Sequence, residues 1–180
     1  MFEILRRDQA RYVELGGWWR NLGFWVGATY RLGSWAHGLG SPLLRVPVLL
    51  VYRVLCVPWR LFLNVEIPAR ARIGPGLCLI HPANILLGAP VEIGEDCLLF
   101  HEVTLGTGPV PGCPKIGNRI DLYVGCRVLG GVTIGDGTMV GANCVVTRNV
   151  PPESVVVQAT RIVPKAMFAR TPEGGGPTPA

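Results

Sequence analysis

From Ile67 to Val146 an aliphatic residue recurs at every sixth position: Ile67, Ile73, Leu79 and Ile85, then Ile93, Leu99 and Leu105, then Ile116, Leu122, Val128, Ile134, Val140 and Val146. A glycine follows it at Gly74, Gly94, Gly106, Gly117, Gly135 and Gly141, and a small residue stands four places after it at Ala71, Ala83, Cys97, Cys126, Thr138 and Cys144. A chain obeying such a rule turns a corner once per repeat.

This combination predicts a mainly β fold, a left-handed parallel β-helix of hexapeptide repeats over residues 65–163. Each hexapeptide supplies one flat side and a turn. Three of them close a triangular coil of about 18 residues that hydrogen-bonds to the next coil at ~4.8 Å. Large aliphatics point inward, small residues fill the corners and glycine permits the turn. Cys97, Cys126 and Cys144 fall in the small inward slot, where a thiol acts as a small hydrophobe. The register breaks by two residues between Ile85 and Ile93 and by five between Leu105 and Ile116. Insertions in a solenoid become loops, and such loops carry function. The second, Thr107 to Lys115, is expected to project as a ligand-facing arm.

Residues 1–64 read as a short N-terminal helical segment. Phe2 to Leu15 is amphipathic, Trp18 to Trp35 aromatic-rich and Pro42 to Leu63 long and apolar, with Gly16-Gly17 and Gly38 to Pro42 as punctuation. The last stretch has the length of a membrane span, but Arg45, Arg53 and Arg60 interrupt it on one face and Pro47 and Pro58 lie inside it. Two readings stay open, a helix covering the open end of the repeat core and a peripheral membrane-surface helix. Residues 164–180 read as a flexible tail.

A chain of 180 residues holds one core with an appendage, so one site is sought. Six cysteines without a CxxC pair, and a start from Met1 to Glu14 too polar for a signal peptide, point to a cytoplasmic setting. The net charge of +5 is spread along the chain, which argues against nucleic acid as partner. No His/Cys/Asp/Glu cluster has ligand spacing, so no metal is expected.

A hydroxyl needs a base to become a nucleophile near neutral pH, which makes His37, His81 and His101 the candidates. His37 lies between glycine-punctuated segments and reads as a surface residue. His81 and His101 each stand two places after a repeat aliphatic, which stacks them on successive coils beside the coil that emits the long loop. Two imidazoles so placed do not readily carry charge together. Glu66, on the preceding coil, is placed to fix the imidazole tautomer and stabilise the imidazolium. Glu92, Glu95, Asp96, Asp121 and Asp136 mostly follow turn glycines and read as solvated corners.

From Val65 to Val163 the sequence resembles the serine acetyltransferase branch of the hexapeptide-repeat acyltransferases. The likeness rests on EIPARARIGPGLCLIH, containing Glu66 and His81, on HEVTLGTG from His101 to Gly108, on PKIG from Pro114, and on VGANCVV followed by VPP at Val150 to Pro152. It implies an acetyl-CoA-dependent O-acetyltransferase that converts L-serine to O-acetylserine in cysteine biosynthesis. His81 is then the general base, paired with Glu66 where the family usually has Asp, and His101 and Cys113 bind the acceptor. The coenzyme lies between subunits of a homotrimer, against Gly106, Thr107, Val124, Gly141, Ala142 and Arg161.

The chain departs from the family at three places. Gly112 and Cys113 stand where an Arg-His pair serves the amino-acid substrate, Tyr123 and Val124 replace small residues, and Val157 to Arg161 reads VQATR in place of Gly-Val-Pro-Ala-Arg. A hydroxyl on a sugar, polysaccharide intermediate or other metabolite is therefore an alternative acceptor. Two further classes are a non-enzymatic β-helix scaffold and a metal-bound hydratase like the γ-carbonic anhydrases, which needs three histidines where the repeats hold two. The N-terminal segment, shorter than the helical domain of typical serine acetyltransferases, implies a trimer only.

Overall fold

The computed structural model describes residues 1–158, and Arg161, the boundary at residue 163 and the 164–180 tail lie outside the described residues. Short strands from Arg72–Ile73 to Val155–Val156 pair in parallel into three sheets, a left-handed β-helix of about four turns. The pairing states the repeat rule in space. Ile73, Ile93, Ile116 and Ile134 form one inward row, and Leu79, Leu99, Leu122, Val140 and Val156 a second. Leu87, Leu105, Val128 and Val146 form the third.

The third row corrects the sequence register. Leu87 pairs with Leu105, and the Leu87 N–H donates to the carbonyl of Glu66 at 2.9 Å, so Leu87 rather than Ile85 continues the repeat. Ile85 is fully buried all the same, at a corner. The two extra residues therefore fall between Leu79 and Leu87, at His81 to Asn84, one side earlier than the spacing suggested.

The glycines also act differently from the expectation. Gly74, Gly94, Gly117 and Gly135 keep ordinary φ values, and a Cβ on Gly94 would sit 2.6 Å from the Gly117 carbonyl oxygen. They let successive coils approach each other. The left-handed corners belong to other residues: Gly76, Asp96, Arg119, Gly137 and Glu153 at one corner, and Glu102, Gly125 and Asn143 at another. Beyond the first coil, each of these corner residues bonds back to the coil before it, as in Arg119 N–H to Glu95 O at 2.8 Å.

The first coil exposes a row of backbone groups with no coil before it, an edge that must be covered or paired. The N-terminal helices pair it through side chains. In α1 (Phe2–Ala10) the buried Asp8 carboxylate accepts from the N–H groups of Gly76 at 2.8 Å and Leu77 at 2.9 Å. From α2 (Leu22–His37), Arg31 donates to Asp8 and to the carbonyls of Ile73 at 2.6 Å and Gly74 at 2.7 Å. Tyr30 donates to Ala71 O at 2.7 Å, and Tyr12 accepts from the Leu79 N–H at 2.8 Å. α2 crosses so close that a Cβ on Gly23 would meet the Leu79 carbonyl oxygen at 2.0 Å. The amphipathic stretch expected to reach Leu15 ends at Ala10, because the chain turns there to bring Tyr12 onto the coil.

α3 (Pro42–Leu63) is the long apolar helix, and it lies against α2 with no residue fully buried. Tyr52 donates to Ile67 O at 3.3 Å and Trp59 to the Thr29 hydroxyl at 3.0 Å, while Leu63 packs on the core. The expected cover over the open end is thus supplied chiefly by α1 and α2.

Candidate active site

The corner between the second and third sheets carries His81, His101, Val124 and Ala142. Its geometry follows from the two-residue excess. Counted forward from Leu79 and Leu99, His81 and His101 are equivalent. Counted back from the third sheet, the Glu102 N–H donates to Ala83 O at 2.8 Å just as the Gly125 N–H donates to His101 O at 3.1 Å, which aligns His101 with Ala83. The expected stacking of the imidazoles holds on the upstream side only, and His81 belongs to the extra residues that bulge from the corner. It is exposed and has a φ of 49°. A left-handed backbone costs an ordinary L-residue ~1–2 kcal/mol, and such strain collects at functional sites.

His101 is half-buried, and its Nδ1 is buried without a hydrogen-bond partner among the described residues. A native structure seldom leaves such an atom unpaired, which sets this imidazole apart from an ordinary packing residue. One residue before it, Phe100 stacks on Tyr123 with ring centroids 5.1 Å apart. The sequence treated Tyr123 only as a departure from small residues. In the fold it makes an aromatic wall beside His101 and Val124.

Glu66 lies at the start of the third sheet, bridged to Leu86. Its exposed carboxylate is held by the Arg60 guanidinium at the end of α3, and no hydrogen bond or ion pair joins it to His81. The spacing of 15 residues gave no sign of Arg60, because the partner comes from a helix outside the repeat.

Glu66, Gly106, Thr107 and Cys113 line one cleft of about 310 Å³ on the third sheet, with Leu86 and Thr104 in its floor. The loop after Gly106 does not project as expected. It folds over the next coil, where the Gly131 N–H donates to Val110 O at 3.0 Å and a Cβ on Gly130 would meet that oxygen at 2.7 Å. Gly130-Gly131 was the readable signal for this closure. Cys113 is turned inward and packs against the core, bordering the cleft.

Val124, Gly141 and Ala142 stand across the sheet from this cleft, on the histidine corner or beside it. Their backbones are used between coils, as in Asn143 N–H to Val124 O at 2.8 Å and Gly141 N–H to Val156 O at 2.9 Å. His37 is exposed at the end of α2, its Nδ1 2.9 Å from the Gly33 carbonyl. Burial pushes the thiols of Cys97 up to about 11 and of Cys126 up to about 12, which leaves them protonated packing groups. Among the described residues no group of His, Cys, Asp and Glu is arranged to hold a metal ion.

A serine acetyltransferase of Mycobacterium tuberculosis is 35% identical over 147 residues, which is 79% of this chain and 62% of that protein. The chain is similar to the serine acetyltransferase-like branch of the hexapeptide-repeat acyltransferases over most of its own length. It thus spans about three-fifths of the length of that relative. Soybean serine acetyltransferase, solved as the apoenzyme, superposes with a TM-score of 0.70 at 28% identity, covering 89% of this chain and 68% of that one. A serine acetyltransferase solved in complex with CoA gives a TM-score of 0.72 at 23% identity with the same two coverages, 89% and 68%, and supports the fold. No family model matches the chain. Within the branch, the pieces unusual for a plain β-helix, the bulged His81 and the loop from Thr107 to Pro114, are those the resemblance assigns to chemistry.

Proposed function

We propose that the chain is an acetyl-CoA-dependent O-acetyltransferase of the serine acetyltransferase kind, taking L-serine to O-acetylserine for cysteine biosynthesis in the cytoplasm. The observation that carries this reading is the cleft that collects Glu66, Gly106, Thr107 and Cys113 on the sheet whose neighbouring corner lifts His81 out of the coil. The similarity to serine acetyltransferases supports the donor and the acceptor.

The chemistry assigned to these groups is direct transfer. The serine hydroxyl gives its proton to His81 as the oxygen attacks the thioester carbonyl, and the tetrahedral intermediate collapses with cleavage of the C–S bond. The CoA sulfur then takes the proton back from the imidazolium. Glu66 orients and stabilises that imidazolium, exchanging Arg60 for the imidazole when substrate is bound. Backbone N–H groups around Gly106 and Thr107 meet the developing oxyanion. His101, with its unpaired Nδ1, and Cys113 contact the acceptor. Gly141, Ala142, Val124 and Arg161 hold the coenzyme from a neighbouring subunit of a homotrimer.

A second acceptor class, a sugar or other metabolite hydroxyl, is favoured by one specific observation. Gly112 and Cys113 occupy the loop where the resemblance expects a charged pair on the amino acid, and Gly112 sits in a left-handed turn with φ of 112°. The deciding assay is CoA thiol release from acetyl-CoA with L-serine, run beside His81→Ala. Serine-dependent release that falls ~10²- to 10⁴-fold in the variant is the expected result. Release with a sugar acceptor alone moves the substrate to the second class. Failure of CoA to raise the melting temperature leaves the scaffold reading in its place.

A further inference from the structure

The outer face of α3 is unpartnered. At 100° per residue Leu43, Leu50, Val54 and Leu61 fall within about 40° of one another, on the side away from Tyr52, Trp59 and Leu63. Leu43 is 86% exposed, Leu61 73% and Phe62 83%. No residue of α3 is fully buried, so this apolar stripe faces water along the length of the helix, and a contiguous exposed apolar face marks an interaction site. Arg53 and Arg60 line one border of the stripe.

Charge decides what covers it. Between Leu15 and Val65 the sequence holds Arg20, Arg31, Arg45, Arg53 and Arg60 and not one Asp or Glu. Asp8 neutralises Arg31 and Glu66 neutralises Arg60, whereas Arg20, Arg45 and Arg53 make no ion pair among the described residues. A second copy meeting this face would bring arginines against arginines with no acid to answer them. Phosphate groups of lipid answer them, and the exposed Trp19, Trp25 and Trp35 on the segments before α3 are the side chains that favour the headgroup level. An apolar face bordered by arginines is the pattern of a helix lying in the membrane interface. Although α3 has the length of a span, its ties through Tyr52 to Ile67 and through Trp59 to Thr29 hold it flat against the domain.

We propose that the outer face of α3 docks the protein on an anionic lipid bilayer, with Leu43, Leu50, Val54, Leu61 and Phe62 in the acyl boundary and Arg53, on the border of the stripe, on lipid phosphate. Arg60, at the end of the same helix, holds Glu66, so the cleft stands next to the docked surface. The proposal is independent of which hydroxyl is acetylated.

The test is co-sedimentation of the full chain with vesicles of phosphatidylcholine alone and of phosphatidylcholine mixed with phosphatidylglycerol. Binding to the mixed vesicles only, weakened by added salt, is expected. Removing Arg53, as Arg53→Gln, lowers the partition about fivefold. The variant Leu43→Ser with Leu61→Ser, whose sites are exposed, keeps the helical circular dichroism and loses the vesicles. Equal binding to neutral vesicles, or none to either kind, overturns the proposal. So does a serine variant that still binds vesicles, one that changes only the mass of a self-associated species, or binding that survives alkaline carbonate as an inserted span does.

Discussion

Asp136 shows how one side chain is used twice in a solenoid. Its carboxylate accepts from the Asn118 N–H at 2.8 Å and from Asn118 Nδ2 at 3.0 Å, which holds it below the usual carboxylate range. The same oxygen explains Gly117, where a Cβ would lie 2.3 Å from Asp136 Oδ1. A carboxyl with a depressed folded pKa contributes stability above its unfolded value of about 3.9 and loses it as pH falls through the folded value. Asp136→Asn is therefore expected to lower the urea midpoint near neutral pH and to flatten its decline on acidification. Parallel pH profiles for the two proteins would refute the assignment. Asp136 was legible in the sequence as a corner residue. Its bonds were not, because they join positions 18 residues apart that only the coil brings together. His81 is similar: its identity and candidacy came from the motif, but its left-handed backbone follows from where the fold places the two extra residues.

At the scale of the element, the end of the β-helix is the costly feature, and the helices that close it do so with polar groups. Asp8 and Arg31 form an ion pair with both side chains about 5% exposed, each also bonded to the first coil's backbone. Removing one partner of such a pair strands the other charge, and Asp8→Ala is expected to cost about 3–5 kcal/mol. Chemical denaturation measures it. In the double variant Asp8→Leu with Arg31→Met the loss should be smaller than the sum of the single losses, and additive losses would show that the pair is not coupled. The helix character of Leu22–His37 and Pro42–Leu63 was readable from composition and punctuation. That the buried charges belonged to α1 and α2 was not, since nothing in the helical period distinguishes an aspartate facing water from one facing an unpaired strand edge.

For the whole molecule, the assigned groups divide between two edges of one face. Glu66, Gly106, Thr107 and Cys113 share the cleft, while Val124, Gly141 and Ala142 lie on or beside the histidine corner across the sheet. A subunit whose cleft meets its neighbour's corner uses both, which is the arrangement the proposed homotrimer supplies. Sedimentation equilibrium is expected to give three times the chain mass of 19.4 kDa, with transfer activity lost on dilution to monomers. A fully active monomer would place both groups in some other relation.

The sequence by itself determined the coil. A period of six with one aliphatic per side leaves a parallel β-helix as the structure that buries every one of those side chains, and it places the thiols of Cys97, Cys126 and Cys144 in the interior. Tertiary structure decided the rest. It moved the two-residue excess from beyond Ile85 to His81, because strand pairing selects Leu87 as the partner of Leu105. It laid the Thr107 to Pro114 loop over Gly130 and Gly131, gave Glu66 to Arg60, and left α3 open on its outer face. Each of these depends on contacts between segments far apart in the chain, and a repeat rule carries information only about neighbours within the repeat.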